Sequence, residues 1–327
     1  MTISPHSAAT VPGAAQATAG VPSSDSDSLI AQAFALAAVP LHRGSPVPSP
    51  PKGRPHTSMA ARKQANESLR HLAEAERCRQ ENARLQRHLL PTPLLEGSGL
   101  TFHARYRPGR RRALLSGDFY DIVRTADGTV HVVIGDVCGH GPDEAALGVA
   151  LRIAWRTLVF TGLTGQALVS TLQRVLEHER HSEEIFATLC MLAIRPDQDV
   201  AELLLAGHPA PLLLHDDEAP ELLPYEEPGP ALGLLSNGTW PTTLIPLGRQ
   251  WSLMLYTDGL IEGRIGAGTR RLGQEGLIDL IADHHGTGLH GDTLIDTTVA
   301  EAEDLNGGAL ADDVAVLLLT NTVAARG

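Results

Sequence analysis

Four short acidic motifs, each set at the end of an apolar run, constrain this chain more than any other feature. They are Ser116-Gly117-Asp118-Phe119-Tyr120-Asp121, Gly135-Asp136-Val137-Cys138-Gly139-His140-Gly141, Tyr256-Thr257-Asp258-Gly259-Leu260-Ile261-Glu262 and Ala311-Asp312-Asp313-Val314. A single Asp beside Gly at a strand end is ordinary turn chemistry. Four of them aimed at one place repel each other and resist ionisation unless a cation sits among them. Carboxylate oxygens are the ligands of hard divalent ions such as Mg2+ and Mn2+. The glycines of 135–141 allow a tight turn and a close backbone approach, so that a carbonyl can join such a shell.

Other chemistries lack their residues. No Gly-Lys-Ser/Thr phosphate loop occurs, nor a Gly-x-Ser-x-Gly nucleophile elbow. Cys138 lies within an acidic loop that disfavours a thiolate, and reads as a packing residue. No His/Cys set with zinc spacing is visible: His284 and His285 are adjacent and do not easily face one ion. The three cysteines are far apart, as expected of a reducing cytosol. With 26 Lys+Arg against 38 Asp+Glu the net charge is −12. That balance argues against binding nucleic acid or an anionic membrane. No stretch reaches the ~20 apolar residues of a membrane span. The expected location is the cytoplasm.

The chain divides into three parts. Residues 1–56 are rich in Ala, Ser, Thr, Gly and Pro and read as a disordered tail. Residues 57–90 read as a helical linker: Ser58 to Leu90 holds no Gly or Pro and is full of helix formers. Leu69, Leu72, Leu85 and Leu89 form a thin apolar stripe there, which suits a solvated helix, pairing in a homodimer or contact with an upstream regulator. Residues 91–322 form the domain. Strands are expected at Thr101–Arg107, Phe119–Arg124, Val130–Asp136, Phe186–Ile194, Ala201–Leu205, Pro211–His215, Ser252–Thr257 and Val314–Leu319. Helices are expected at Pro142–Phe160, Gly165–Glu179, Gly273–Asp283 and Asp292–Asp304. Consecutive hairpins with grouped helices indicate an α+β fold rather than a parallel doubly wound sheet.

Taken in order, the four motifs with Leu89-Leu90-Pro91, Tyr106-Arg107-Pro108, Phe186-Ala187-Thr188, Ala206-Gly207-His208-Pro209-Ala210-Pro211 and Leu232-Gly233 resemble the SpoIIE-like (RsbU-type) branch of the PPM, or PP2C-type, metal-dependent serine/threonine phosphatases. The resemblance runs from about Leu89 to Thr320. It implies a sandwich of two antiparallel sheets flanked by helices. Two divalent cations, Mn2+ or Mg2+, would lie at one edge of the sheets and activate a water for hydrolysis of phosphoserine or phosphothreonine. Asp118 and Asp136 would hold the metal pair with the Val137 carbonyl, and Asp258 and Asp312 would complete the shell of the second ion. Asp121, Glu262 and Asp313 are expected either to support the metal ligands or to be structural, and His208 and Pro209 to be structural. The implied substrate is a phosphorylated STAS-type anti-anti-sigma regulator, as in partner switching. Two departures from the family pattern are Ser116 for Gly and Ala315 for Thr, the latter removing a hydroxyl near Asp312. The proton donor to the leaving group stays open, with His140 one candidate. A catalytically weak module that sequesters a regulatory partner, and a phosphatase for small phosphoesters, are the alternative readings.

Overall fold

The computed structural model describes residues 90–107, Gly109 and 117–321, except 198, 217, 226, 227 and 267, together with Arg70, Ala73, Glu76 and Arg77. Those four positions are helical. The tail 1–56, the rest of the linker 57–89 and Ser116 lie outside the described residues.

Among the described residues from 90 onward, ten strands and four helices follow one another as β1 (Leu100–Arg107), β2 (Phe119–Arg124), β3 (Val130–Val137), α1 (Pro142–Phe160), α2 (Gly165–Glu179), β4 (Ala187–Ile194), β5 (Val200–Ala206), β6 (Leu212–Leu214), β7 (Glu221–Leu222), β8 (Thr243–Pro246), β9 (Trp251–Tyr256), α3 (Gly273–Gly286), α4 (Gly291–Leu305) and β10 (Val314–Asn321). A short 3-10 turn, Asp258–Leu260, follows β9. One sheet has the order β2-β3-β4-β5-β8 and the other β1-β10-β9-β6-β7. Every strand pairing is antiparallel. The expected α+β sandwich is therefore the fold observed.

Side-chain alternation explains the layering. In β2 and β3, Tyr120, Ile122, Val132 and Ile134 face the other sheet, where they meet Leu253, Leu255, Leu317 and Leu319. Their neighbours Phe119, Val123, Val133 and Val137 face outward onto Leu147, Leu151 and Trp155 of α1 and Leu168, Leu172 and Leu176 of α2. On the far side, Met254, Tyr256, Val316 and Leu318 pack on Leu277 and Ile281 of α3 and Ile295 and Val299 of α4. With both faces of each sheet covered, the strands read as nearly unbroken apolar runs. Among the described residues no helix is long and apolar enough to cross a membrane.

Local signals place the turns. Gly128 takes φ 91 between β2 and β3, where Asp127 Oδ1 accepts hydrogen bonds from the Thr125 hydroxyl (2.5 Å) and the Thr129 amide (3.1 Å). Pro142 opens α1, with Asp143 and Glu144 in its first turn, as a helix N-terminus favours.

Candidate metal centre at the sheet ends

Register brings the four motifs to one end of the sandwich. Phe119 pairs with Gly135, so Asp118, just before β2, lies beside Asp136, next to last in β3. In the other sheet Tyr256 pairs with Val316, and the Thr257 amide donates to the Ala315 carbonyl (3.0 Å). That leaves Asp258 just past the end of β9 and Asp312–Asp313 just ahead of β10, at a common edge. The two sheets are joined here through Thr257: its hydroxyl donates to Asp118 Oδ2 (3.0 Å) and accepts from the Ala315 amide (2.9 Å).

Asp118 is buried, and its carboxyl is held well above the ordinary range by burial and then by the charge of Asp136, with the Thr257 hydrogen bond opposing. Asp136 is pushed up to about 8 by burial and by the charges of Asp258, Asp312 and Asp313. Asp258 is raised by burial, Glu262 and Asp312. Each shift records the same fact: these acids are poor hosts for their own charge without a counter-ion. The donor set is all oxygen, which fits Mg2+ or Mn2+. Among the described residues, no three of these acids bring their oxygens within 4.8 Å of one another. A single ion gripped by three carboxylates at ~2.1 Å would need a tighter ring; a wider one suits ions sharing water ligands.

The backbone around the acids is crowded. Gly117 packs against the Val137 carbonyl and the Asp136 carboxylate, and its own carbonyl accepts from the Val137 amide (3.3 Å). Gly109 donates its amide to Asp313 Oδ1 (2.7 Å), while the Asp313 amide donates to Asp312 Oδ1 (2.9 Å). Gly259 presses on the Asp313 carbonyl with no room for a β-carbon. Gly259→Ala must therefore displace either the 3-10 turn carrying Asp258 or the Asp312–Asp313 backbone. The expected cost is about 1–3 kcal/mol, as for other overpacked sites, with weaker Mn2+ binding. Thermal melts and a Mn2+ titration check it; unchanged values in both would show that the turn tolerates the methyl group.

The supporting residues sort themselves by partner. Glu262 donates its amide to the Asp258 carbonyl (2.9 Å) and pairs its carboxylate with Arg271. His208 is buried with Nδ1 2.9 Å from the Thr188 hydroxyl, and Thr188 pairs with Asp136 in the β3–β4 ladder. Burial pushes the His208 imidazole down to about 3, so it is neutral; it braces the strand that carries Asp136. His140 is exposed on the loop between β3 and α1.

Of the two roles expected of Asp121, its contacts match the structural one and not support of the carboxylate cluster. Alternation turns it to the helix face of β2, where it is fully buried between Arg152 and Arg156 of α1. Thr257 is the converse case, a site residue that the residue-by-residue reading passed over. Its signal was a hydroxyl immediately before Asp258. Ala315 is buried between the sheets, and the hydroxyl at this junction comes from Thr257.

Comparison with known proteins accords with this geometry. The family model for Stage II sporulation protein E (SpoIIE) matches residues 126–322. Phosphoserine phosphatase RsbP of Bacillus subtilis (strain 168) is 26% identical over 174 residues, which cover 52% of this chain and 40% of RsbP. The chain thus spans well under two thirds of that relative. The crystal structure of the RsbU and RsbW domains of Rv1364c from Mycobacterium tuberculosis is similar at a TM-score of 0.54 and 26% identity, covering 68% of this chain and 59% of that one. The SiaA-PP2C domain of Pseudomonas aeruginosa shares the fold at a TM-score of 0.58 and 19% identity, over 80% of this chain and 99% of that one. With the motifs, the two-sheet sandwich and the match over residues 126–322 in agreement, the chain belongs to the SpoIIE family of PP2C-like proteins.

Proposed function

We propose that this protein is a metal-dependent serine/threonine phosphatase that hydrolyses phosphoserine or phosphothreonine on a STAS-type regulator protein. The observation that carries the reading is the meeting of Asp118, Asp136, Asp258 and Asp312 at one end of the sandwich, with burial and mutual repulsion raising three of them. The naming of RsbP as a phosphoserine phosphatase supports the substrate chemistry.

In this reading Asp118, Asp136 and the Val137 carbonyl hold the ions together with Asp258 and Asp312. Bound Mn2+ or Mg2+ supplies the Lewis acidity that makes a water nucleophilic at neutral pH and offsets charge on the phosphoryl oxygens. The protein's own part is placement. Thr257 fixes the Asp118 carboxylate from the opposite sheet. His208, through Thr188, steadies the strand that carries Asp136. No side-chain nucleophile is required, and the Cys138 thiol, raised by burial, is poorly suited to be one. The test is release of phosphate from a phosphorylated STAS protein with added Mn2+, run beside Asp136→Asn. A protein that binds the phosphorylated partner without turnover would instead be a sequestering module. Preference for a small aryl phosphate over the phosphoprotein would overturn the substrate assignment.

We further read residues 91–322 as the catalytic domain, 1–56 as a tail and 57–90 as a helical segment that regulates it, through a homodimer or by packing on the domain. Limited proteolysis is expected to cut first within 1–56. A chain beginning at Leu89 is expected to fold with an unchanged melting temperature but to differ in mass by light scattering, or in Mn2+-dependent turnover. Equal mass and equal turnover would make 57–90 a spacer only.

A further inference from the structure

Away from the carboxylate centre, three metal-ligating side chains converge, two from the α3–α4 turn and one from a distant part of the sequence. Asp216 lies just after β6, His285 in the last turn of α3, and His290 immediately before α4. Their ligand atoms all lie within 4.8 Å of one another. His285 Nε2 is 3.8 Å from Asp216 Oδ1, beyond a direct hydrogen bond. The two imidazoles meet edge to face with centroids 5.1 Å apart. Among the described residues this is the one cluster of three such side chains so closely gathered.

The surroundings favour a cation. His285 sits at the C-terminal, negative end of the α3 dipole. Burial and the neighbouring His290 hold its imidazole below the usual value, so it is in the neutral, ligating form at neutral pH. The adjacent His284 is committed elsewhere: Nδ1 lies 3.1 Å from the Thr298 hydroxyl and Nε2 2.7 Å from Glu301, both on α4. Those contacts fix the helix end from which His285 projects. The site is also remote from Asp258. β6 pairs with β9 through Leu214 and Ser252, so Asp216 lies at the start of β9 and Asp258 beyond its end. At ~3.3 Å per residue the strand between them spans about 20 Å.

We propose that Asp216, His285 and His290 form a transition-metal site, with Zn2+ as its preferred occupant, separate from the carboxylate centre. Two imidazoles and one carboxylate select a borderline ion over Mg2+, which demands oxygen ligands in an octahedron. Zn–N bonds of ~2.0–2.1 Å in a tetrahedron place ligand atoms about 3.3 Å apart. The remaining convergence falls to Asp216, whose side chain is 73% exposed against 7% for His285. Three protein ligands leave one position for water. The bound ion ties the α3–α4 turn to the segment after β6, and so fastens the helical layer of this sheet at the end opposite the carboxylates. Sequence spacing gave no hint of it, because Asp216 lies about 70 positions from the two histidines.

Co2+ is the probe, because an imidazole-rich site of low coordination absorbs strongly in the visible whereas an octahedral oxygen site absorbs faintly. The full-length protein, stripped with chelator and held in excess Mg2+ to fill the carboxylate centre, is titrated with Co2+ and then with Zn2+. One equivalent of Co2+ giving strong bands, displaced by one equivalent of Zn2+, is expected. His285→Ala and His290→Ala should each abolish the bands and the rise in melting temperature that Zn2+ produces. His290 is exposed, so His290→Ala keeps the test valid even where His285→Ala disturbs packing. Faint bands only, or strong bands that survive in folded His290→Ala, would overturn the site. The outcome does not depend on phosphatase activity, which can fail while this site stands.

Discussion

Asp136→Asn is expected to remove nearly all turnover while making the metal-free protein more stable. The residues that merely orient a metal ligand already cost about 10–100-fold when removed, so losing the ligand itself should cost at least about 100-fold at limiting Mn2+. The opposite sign for stability follows from the electrostatics. Burial and the charges of Asp258, Asp312 and Asp313 push the Asp136 carboxyl from 3.8 to about 8, and Asp118 moves in the same direction. Between those values the folded state binds a proton that the unfolded state does not. Stability therefore falls as pH rises through this window, and the Asp136 part of the loss is complete above about 8. His208, held neutral down to about 3, works against this below ~6.5, where the unfolded histidine protonates. The clean interval is pH 6.5 to 8. In chelator, the wild-type melting temperature should rise as pH is lowered across it, and Asp136→Asn should melt higher at pH 8 with a flatter slope. Near-wild-type turnover at limiting Mn2+ would remove Asp136 from the ligand set. A lower melting temperature in chelator would mean that the carboxylate is satisfied without an ion.

The contrast between Asp136 and Asp121 shows what local sequence can carry. Asp136 was legible because its surroundings are local: an apolar strand ends, a glycine-rich turn begins, and the acid sits between. The strands and helices with such punctuation were legible too. Pro142 and Gly165 open α1 and α2 at the positions the pattern implied. β7 and β8 were not anticipated, because nothing in their own residues demands them. Two residues at 221–222 and four at 243–246, the last a proline, become strands only by pairing with β6 and with β5. Both are edge strands, where a short strand and a proline are tolerated. α3 runs to Gly286 rather than stopping at Asp283, since His284 and His285 find partners only in the folded chain. Asp121 belongs with these. Its partners lie 31 and 35 residues onward, and the one trace in the sequence is that Arg152 and Arg156 stand four apart, on a single face of a helix.

Asp121→Ala should accordingly unfold the protein more readily while sparing the chemistry. The Asp121 side chain is fully buried; Oδ2 accepts from Arg156 Nε at 2.7 Å and from Arg152 Nη1 at 3.3 Å, and Oδ1 accepts from Arg156 Nη2. Arg156 also donates to the Thr92 carbonyl (3.0 Å), so the same carboxylate anchors the stretch before β1 to α1 and β2. Arg152 is itself buried, with Nε lacking a partner among the described residues. Removing the carboxylate strands two guanidinium charges in the layer between α1 and the sheet, a change that costs about 3–5 kcal/mol when a buried pair is broken from one side. Asp121→Asn keeps an acceptor in place but not the charge, and should fall between. Neither variant touches Asp118, Asp136, Asp258 or Asp312, so turnover at saturating Mn2+ and at a temperature where the variant is folded should stay close to wild type. Denaturant melts measure the first effect and a Mn2+ titration the second. If instead Asp121→Ala kept its stability and needed much more Mn2+, the carboxylate would be acting on the metal ligands after all, across the sheet from where its hydrogen bonds lie.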